Sequence, residues 1–336
     1  MIISQTPYRV SFAGGGTDLI AFYRHEYGAV LSLTIDKHMY VTVSPRFDAT
    51  TRVAYTQTEI VDSVDKLQHT IVREALRLTE LGPHLEITTI GDVPAGTGLG
   101  SSSSLTVGLL NALYGYQGRL TTQARLAEEA CRIEIDILGK PIGRQDQYAT
   151  AFGGVNYIRF NPDGSVDVEP VPCTADTVKE LQRHMLMFYT GRERDADEIL
   201  SQQSAGTTSR MQVLREMRDL ANELKNTLSG SPNLDAFARL MHTSWELKRS
   251  LGFGISDGTI DDMYSTARSA GAVGGKLLGA GGGGFLLMIA PPERHDAIRY
   301  ALRWPVELDF GIDRRGSRLV FISDHQRLTR DHSVTT

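Results

Sequence analysis

The chain has 336 residues, 41% of them hydrophobic and 22% charged, a globular composition whose length suits two domains better than one. A formal net charge of −5 offers no basic field for nucleic acid and no polybasic anchor for a membrane. The longest apolar run, from Phe285 to Ala290, is far too short to span a bilayer. Cys131 and Cys173 are too few for a disulfide framework or a metal cluster, and no signal-peptide pattern opens the chain, so a soluble cytoplasmic protein is expected.

The first informative segment runs from Thr6 to Asp18, where Arg9 interrupts a strand-like apolar stretch and Gly14-Gly15-Gly16-Thr17 leads to a carboxylate. Arg9 can supply positive charge where phosphate charge develops, and Asp18 can accept hydrogen bonds from substrate hydroxyls. As isolated residues, the first is more often a surface ion-pair partner and the second a helix N-cap. Val41–Val43 and Leu85–Ile90 read as strands from alternation or β-branched content.

Next comes Pro94-Ala-Gly96-Thr-Gly98-Leu99-Gly100-Ser101-Ser102-Ser103-Ser104, between a strand and a helix expected over Ser101 to about Tyr116. Glycines let backbone N–H groups approach a ligand, and the helix N-terminus adds partial positive charge, which together suit nucleotide phosphates. A hydroxyl at Ser101 or Ser102 can reach a magnesium ion bridging them. The plain alternative is a flexible turn with a serine N-cap. The loop lacks the Gly-Lys-Ser/Thr ending of the standard P-loop, so metal and distant groups must offset the phosphate charge.

A second helix is expected from Thr121 to Leu138, capped by Thr121 or Thr122 and ended by Gly139 and Pro141. Advancing roughly 100° per residue, Leu126, Ala127, Ala130, Ile133, Ile137 and Leu138 share an arc of about 140°, with Ile135 outside it. Glu134 falls inside that arc and therefore needs a buried partner, a magnesium ion or, in a structural ion pair, an arginine. Asp146 follows a glycine-containing loop and reads either as an N-cap or as the group that accepts a substrate hydroxyl's proton.

Asn161–Gly164 is a strong turn signal, and two domains are expected to meet near residue 175, as 1–175 and 176–336. Beyond it, Leu186–Tyr189 reads as a buried strand, followed by helical segments at about 195–228, 233–250 and 258–270. Gly279-Ala-Gly281-Gly282-Gly-Gly284 formally matches GxGxxG, but a strand rather than a helix follows, which argues against a dinucleotide fold. A glycine-dense loop that lets backbone approach a ligand or the other glycine loop fits better.

These segments, in this order, resemble the GHMP kinases, a family that includes galactokinase, homoserine kinase, mevalonate kinase and phosphomevalonate kinase. Pro94–Ser104 resembles the family's phosphate loop, Tyr8–Asp18 its N-terminal motif, and Gly274–Phe285 its C-terminal glycine motif. The resemblance implies a two-domain α+β fold, ribosomal-S5-domain-2-like in its first half and with ferredoxin-like helices on an antiparallel sheet in its second. It implies ATP as phosphoryl donor, held by Gly96, Gly98, Leu99, Gly100, Ser101, Ser102 and Ser103. It further implies Mg²⁺ on Ser102 and Glu134, Asp146 and Arg9 as catalytic residues, and Gly15, Gly16, Thr17, Asp18, Gly281 and Gly282 at the substrate. Gly14-Gly15-Gly16-Thr17-Asp18 departs from the galactokinase Gly-Glu-His-Thr-Asp motif, which puts a galactose-type contact set in doubt.

With Tyr189-Thr-Gly191 and Lys276–Phe285, the chain most resembles the D-glycero-D-manno-heptose 7-phosphate kinase branch. That implies a small-molecule sugar phosphate phosphorylated on its anomeric hydroxyl to a 1,7-bisphosphate. A kinase of a neutral sugar, such as fucose or another hexose, is the alternative, and a non-catalytic sugar or nucleotide sensor a further one. For the substrate phosphate the sequence offers Arg24, Lys37, Arg144, Arg192 and Arg194, with Arg194 the first choice because it follows the Tyr-Thr-Gly segment.

Overall fold

The computed structural model describes residues 1–192, 196–229, 232–252, 254–303 and 305–323. The apolar stretch around Arg9 is strand β1 (Ile2–Ala13), paired antiparallel with the long β2 (Gly28–Pro45) across the short helix α1 (Ile20–Tyr23). A hairpin of β3 (Thr51–Ala54) and β4 (Thr58–Val61), helix α2 (Thr70–Leu78) and strand β5 (Leu85–Gly91) follow. Strand β5 pairs antiparallel with β2 and parallel with β3. Helices α3 (Ser101–Tyr116), α4 (Gln123–Cys131) and α5 (Gln145–Phe152) pack on one another, with α3 and α5 also against β1 and β2. Strands β6 (Val155–Phe160) and β7 (Val166–Pro170) form the hairpin expected at Asn161–Gly164, with Gly164 at a φ of +87°.

The second half runs α6 (Ala175–His184), β8 (Met185–Tyr189), α7 (Ala196–Ala205), α8 (Met211–Leu228), α9 (Leu234–Ser250), α10 (Gly258–Ser269), β9 (Gly274–Leu277), β10 (Phe285–Ile289), α11 (His295–Ala301) and β11 (Arg318–Ile322). The helix expected over 195–228 is therefore interrupted, with a short 3₁₀ turn at Thr208–Arg210 between α7 and α8. Strands β8, β10 and β9 form a three-stranded antiparallel sheet in that order. Strands β8 and β10 read as unbroken apolar runs because both faces are covered. Met185, Met187, Leu287 and Ile289 join the core of the large sheet, and the alternate Leu186, Phe188, Leu286 and Met288 pack with Trp245 and Tyr264.

The fold is mixed α+β, an eight-stranded sheet and a three-stranded one joined through helices α8 and α9. Phe12 of β1 meets Phe237 of α9 edge-to-face at 5.0 Å across that junction. Strand β11 returns to pair antiparallel with β1 in the large sheet. Among the described residues no helix is long and apolar enough to cross a membrane.

One expected helix changes character partway. Thr122 caps α4 by accepting from Arg125 N, but from Arg132 to Ile137 the chain is π-helical, with Leu138 N donating to Ile133 O. Each residue of such a turn advances less than the α-helical step, which rotates the later side chains. Leu126, Ala127, Ala130, Ile133 and Glu134 are buried as the helical period predicts. Ile137, expected inside, is 45% exposed, whereas Ile135, expected outside, packs against the core.

Candidate active site

The phosphate-type loop is built by backbone conformations that only glycine adopts freely. Gly96, Gly98 and Gly100 take φ values of +77°, +83° and +78°. Gly100 occupies the N-cap position of α3, with no side chain capping the helix. The serine N-cap reading thus gives way to a helix start whose first N–H groups, by helix geometry, lack intrahelical acceptors. The second glycine loop lies directly against the first. A Cβ on Gly98 would come 2.6 Å from Leu278 O, and one on Gly279 2.5 Å from Gly98 Cα.

Beside this junction Arg9 is buried and bidentate on Asp146, Nε to Oδ1 at 2.7 Å and Nη2 to Oδ2 at 2.6 Å, while its Nη1 donates to Gly98 O at 2.5 Å. Arg9 is therefore not a surface ion-pair partner. Asp146 lies in the first turn of α5, next to Gly100 rather than capping its own helix. The guanidinium binds the carboxylate and the glycine loop into one rigid unit.

Across α3, Glu134 is wholly buried. Its Oε1 accepts from Ser102 Oγ at 2.5 Å and its Oε2 from Gln147 Nε2 at 2.9 Å. Lys140 Nζ donates to the same Ser102 Oγ at 2.7 Å and stands 3.5 Å from Glu134 Oε1. The cation beside Glu134 is thus a lysine just beyond the π-helical turn rather than the arginine expected, and its position outside both glycine loops gave no local signal for it.

These groups meet at a cavity of about 650 Å³. Gly96, Gly98, Gly100, Ser101, Ser102, Ser103, Arg9, Asp146, Gly15, Gly16, Asp18 and Gly281 line it. Thr17, Leu99, Gly282 and Glu134 do not reach its wall. The Thr17 hydroxyl instead clasps the turn, donating to Gly14 O at 2.7 Å and accepting from Ala29 N at 3.0 Å. Leu99 is buried and its carbonyl accepts from Arg9 N, while Gly282 N bonds Ile255 O. Glu134 acts on the wall only through Ser102.

Asp18 is not a cap of α1. Its Oδ1 accepts from Gly16 N at 2.8 Å and its Oδ2 from Gln145 N, the first residue of α5, at 3.3 Å. Gly143 leaves it room, because a Cβ there would collide with the carboxylate. Burial pushes the Asp18 carboxyl up, and the nearby charge of Asp146 adds to this against the donated N–H groups.

Two further buried cations face the cavity, Lys248 of α9 and Lys276 of β9. Nothing in their local pattern distinguished them from surface or core lysines. By contrast Arg24, Lys37, Arg144 and Arg192, offered by the sequence for a substrate phosphate, do not line the cavity. Arg144 is spent on Gly164 O and the Tyr148 ring, and Arg192 on Asp257 and Thr259. Arg194 lies outside the described residues. At the far end of the cavity, Met39, Tyr55, His69, Ile71 and Val93 form a largely apolar wall, with Tyr55 and His69 edge-to-face at 4.7 Å.

Residues 69–154 match the family described as GHMP kinases N terminal domain, and residues 224–305 that described as GHMP kinases C terminal. The chain is 28% identical over 319 residues to the D-glycero-alpha-D-manno-heptose 7-phosphate kinase of Campylobacter jejuni, covering 90% of this chain and 93% of that one. It is 26% identical to the L-fucokinase/L-fucose-1-P guanylyltransferase of Bacteroides fragilis, over 90% of this chain and 36% of that longer protein. Among solved structures, a D-glycero-D-manno-heptose 1-phosphate kinase from Bacteroides thetaiotaomicron superposes with a TM-score of 0.81 at 25% identity, covering 96% of this chain and 100% of that one. With both family domains present in order and the whole chain following the same fold, it belongs to the GHMP kinases, a family of ATP-dependent phosphotransferases.

Proposed function

We propose that this cavity transfers the terminal phosphoryl group of ATP to the anomeric hydroxyl of a phosphorylated heptose, D-glycero-D-manno-heptose 7-phosphate, giving the 1,7-bisphosphate. The observation that carries the reading is the placement of Asp146. Its carboxylate is locked by Arg9 between the uncapped N-terminus of α3 and the buried Asp18. Two relatives that cover nearly the whole chain are named as heptose phosphate kinases, which supports the sugar.

In this reading the loop from Gly96 to Ser103 cradles the phosphates on its backbone N–H groups. The apolar wall of Met39, Tyr55, His69, Ile71 and Val93 takes the base. Residues 1–175 supply these parts and Asp146, and residues 176–336 supply the glycine loop packed against them. Each Asp146 oxygen accepts one Arg9 N–H and retains a lone pair for the sugar hydroxyl. The hydroxyl oxygen forms the new bond to phosphorus, the bond to the β-phosphate oxygen breaks, the proton passes to Asp146, and ADP leaves. Such a transfer depends on positioning and charge stabilisation, the two things the Arg9–Asp146 pair provides.

Ser102, on the cavity wall, with Glu134 Oε1 2.5 Å behind its hydroxyl, would hold a magnesium ion, two hard oxygens close to one point. Mg²⁺ held through nucleotide phosphates needs only one or two protein oxygens. No larger cage of His, Cys, Asp or Glu occurs among the described residues. When bound, the ion would offset phosphate charge, and Lys140, hydrogen-bonded to Ser102, would add a positive charge beside it.

The test is ADP release by the purified protein with ATP and magnesium, against heptose 7-phosphate, mannose, fucose and galactose. Turnover with heptose 7-phosphate alone supports the reading. Turnover with a neutral sugar keeps the kinase and replaces the substrate, and no turnover with any of them leaves the sensor reading.

A further inference from the structure

We propose that Lys248 and Lys276, standing beside Arg9, form a second phosphoryl-binding subsite on the acceptor side of the cavity, distinct from the glycine loop that holds the nucleotide. The two ammonium groups come from different elements, the last turn of α9 and strand β9, and are 5% and 4% exposed. Both line the cavity. Lys276 Nζ donates to Ser11 O at 2.8 Å and Lys248 Nζ to Gly279 O, one bond for each three-donor group among the described residues. Among the described residues neither has a carboxylate within ion-pair distance.

Charge balance then points to an anion. A buried ammonium without a counter-ion is costly, and a site retains one when a ligand repays the desolvation. Asp146 is committed to Arg9, while Asp18 accepts only backbone N–H groups and is pushed by burial toward its neutral form. Three cations therefore face at most two carboxylates, an excess that a phosphoryl dianion would match. Burial also drives both lysines toward their neutral forms, Lys276 well below its ordinary value with Lys248 and Arg9 adding to the effect, so a bound dianion is the partner that would hold both charged.

Position narrows the ligand further. Ser11 lies two residues beyond Arg9 on β1, hence on the same face of the strand, and Gly279 packs on Gly98. Both lysines therefore flank the reacting centre rather than the wall assigned to the base. The Ser11 hydroxyl beside Lys276 and Gln145 Oε1 are buried polar atoms on the cavity lining with no hydrogen-bond partner. Such orphaned groups are accounted for by a ligand that bonds them. The phosphoryl group has two sources, the phosphate already on the acceptor or the group in transfer from ATP.

The inference rests on the sugar-kinase reading, and its test includes a binding measurement that does not. Titration calorimetry with inorganic phosphate, heptose 7-phosphate, unphosphorylated heptose and ADP would compare the wild type with Lys248→Met, Lys276→Met and the double variant. Steady-state kcat and thermal melts would accompany it. We expect the variants to lose about a hundredfold in affinity for heptose 7-phosphate while keeping heptose and ADP binding. Their unliganded melting temperatures should stay level or rise, because an uncompensated charge has been removed. Unchanged heptose 7-phosphate affinity with kcat down about a hundredfold would assign the subsite to the phosphoryl group in transfer. If the wild type turns over no sugar, the kinase reading fails, yet inorganic phosphate binding lost in the double variant still establishes the subsite. Variants that keep phosphate binding, sugar-phosphate affinity and kcat but melt lower would overturn it and make the lysines structural.

Discussion

Asp146 is gripped by two nitrogens of Arg9, so replacing its carboxylate with an amide removes the charge while preserving the shape. Asp146→Asn should lower kcat by about 10²–10⁴ and leave ATP affinity within about threefold, checked by ADP release and calorimetry. Lys248 supplies a pH signature, because burial, with Arg9 beside it, brings its ammonium down to about 8. The charged groups facing it are Arg9 of β1, Asp18 and Lys276 of β9, with Asp146 of α5 paired to Arg9. Binding of a phosphorylated sugar should therefore be strongest between about pH 6 and 8, weakening above about 8 as the ammonium loses its proton and below about 6 as the phosphate dianion gains one. The stability effect has the opposite sense. Between about 8 and the unfolded lysine value the unfolded chain holds more protons, so the unliganded protein gains stability as pH rises. Denaturant melts across that window should show the gain, and Lys248→Met should flatten it.

At the scale of elements, the site depends on two glycine loops touching through their backbones, a contact that even a methyl group disturbs. Gly98→Ala must hold alanine at a φ of +83° and place its Cβ 2.6 Å from Leu278 O. It should cost about 1–3 kcal/mol of stability and weaken ATP binding by prising the loops apart, read by urea melts and nucleotide titration. The π-helical turn after α4 has a positive role. It ends the α-helical step just where Glu134 must stay inside, and leaves the chain running on to Lys140, so that carboxylate and ammonium meet at Ser102. The hydrophobic period placed Glu134 correctly because the chain is α-helical through Cys131 and the changed rotation has little room to accumulate by the third residue of the π turn. It misplaced Ile137 because the smaller rotation per residue has accumulated by the end of that turn.

Over the whole molecule, the last described segment ties itself back to the first strands. Asp313 Oδ2 lies 2.9 Å from His38 Nε2 and 3.0 Å from Arg318 Nη2, and Thr34 Oγ1 donates to Asp313 O at 2.6 Å. Burial alone would raise the Asp313 carboxyl, but hydrogen bonds from His38, Arg315 N and Arg318 outweigh it and hold the group below its ordinary value. Its stabilising effect is therefore full above the unfolded carboxylate range and disappears as pH falls through the folded value. Asp313→Ala should cost about 3 kcal/mol at neutral pH, and the gap from wild type should close in acid, measured by urea melts at both pH values.

Local chemistry was legible from residues alone. Glycines at positions of positive φ, serines opening α3, the run of apolar residues in β8 and β10 and the buried phase of Glu134 are all properties of a few neighbouring residues. They located the glycine loop that opens α3, ruled against a dinucleotide fold and brought Arg9, Asp18 and Asp146 into one candidate site. Tertiary structure alone decided which cations share it. Lys140, Lys248 and Lys276 face the cavity, while Arg144 and Arg192 are taken up elsewhere and the Thr17 hydroxyl closes its own turn. It also decided that β11 rejoins β1 across more than three hundred residues of chain. The physical reason is that periodicity records which face of an element is buried, whereas a long charged side chain takes its meaning from whatever lies at its tip. For Lys276 that is a carbonyl 265 residues away in sequence.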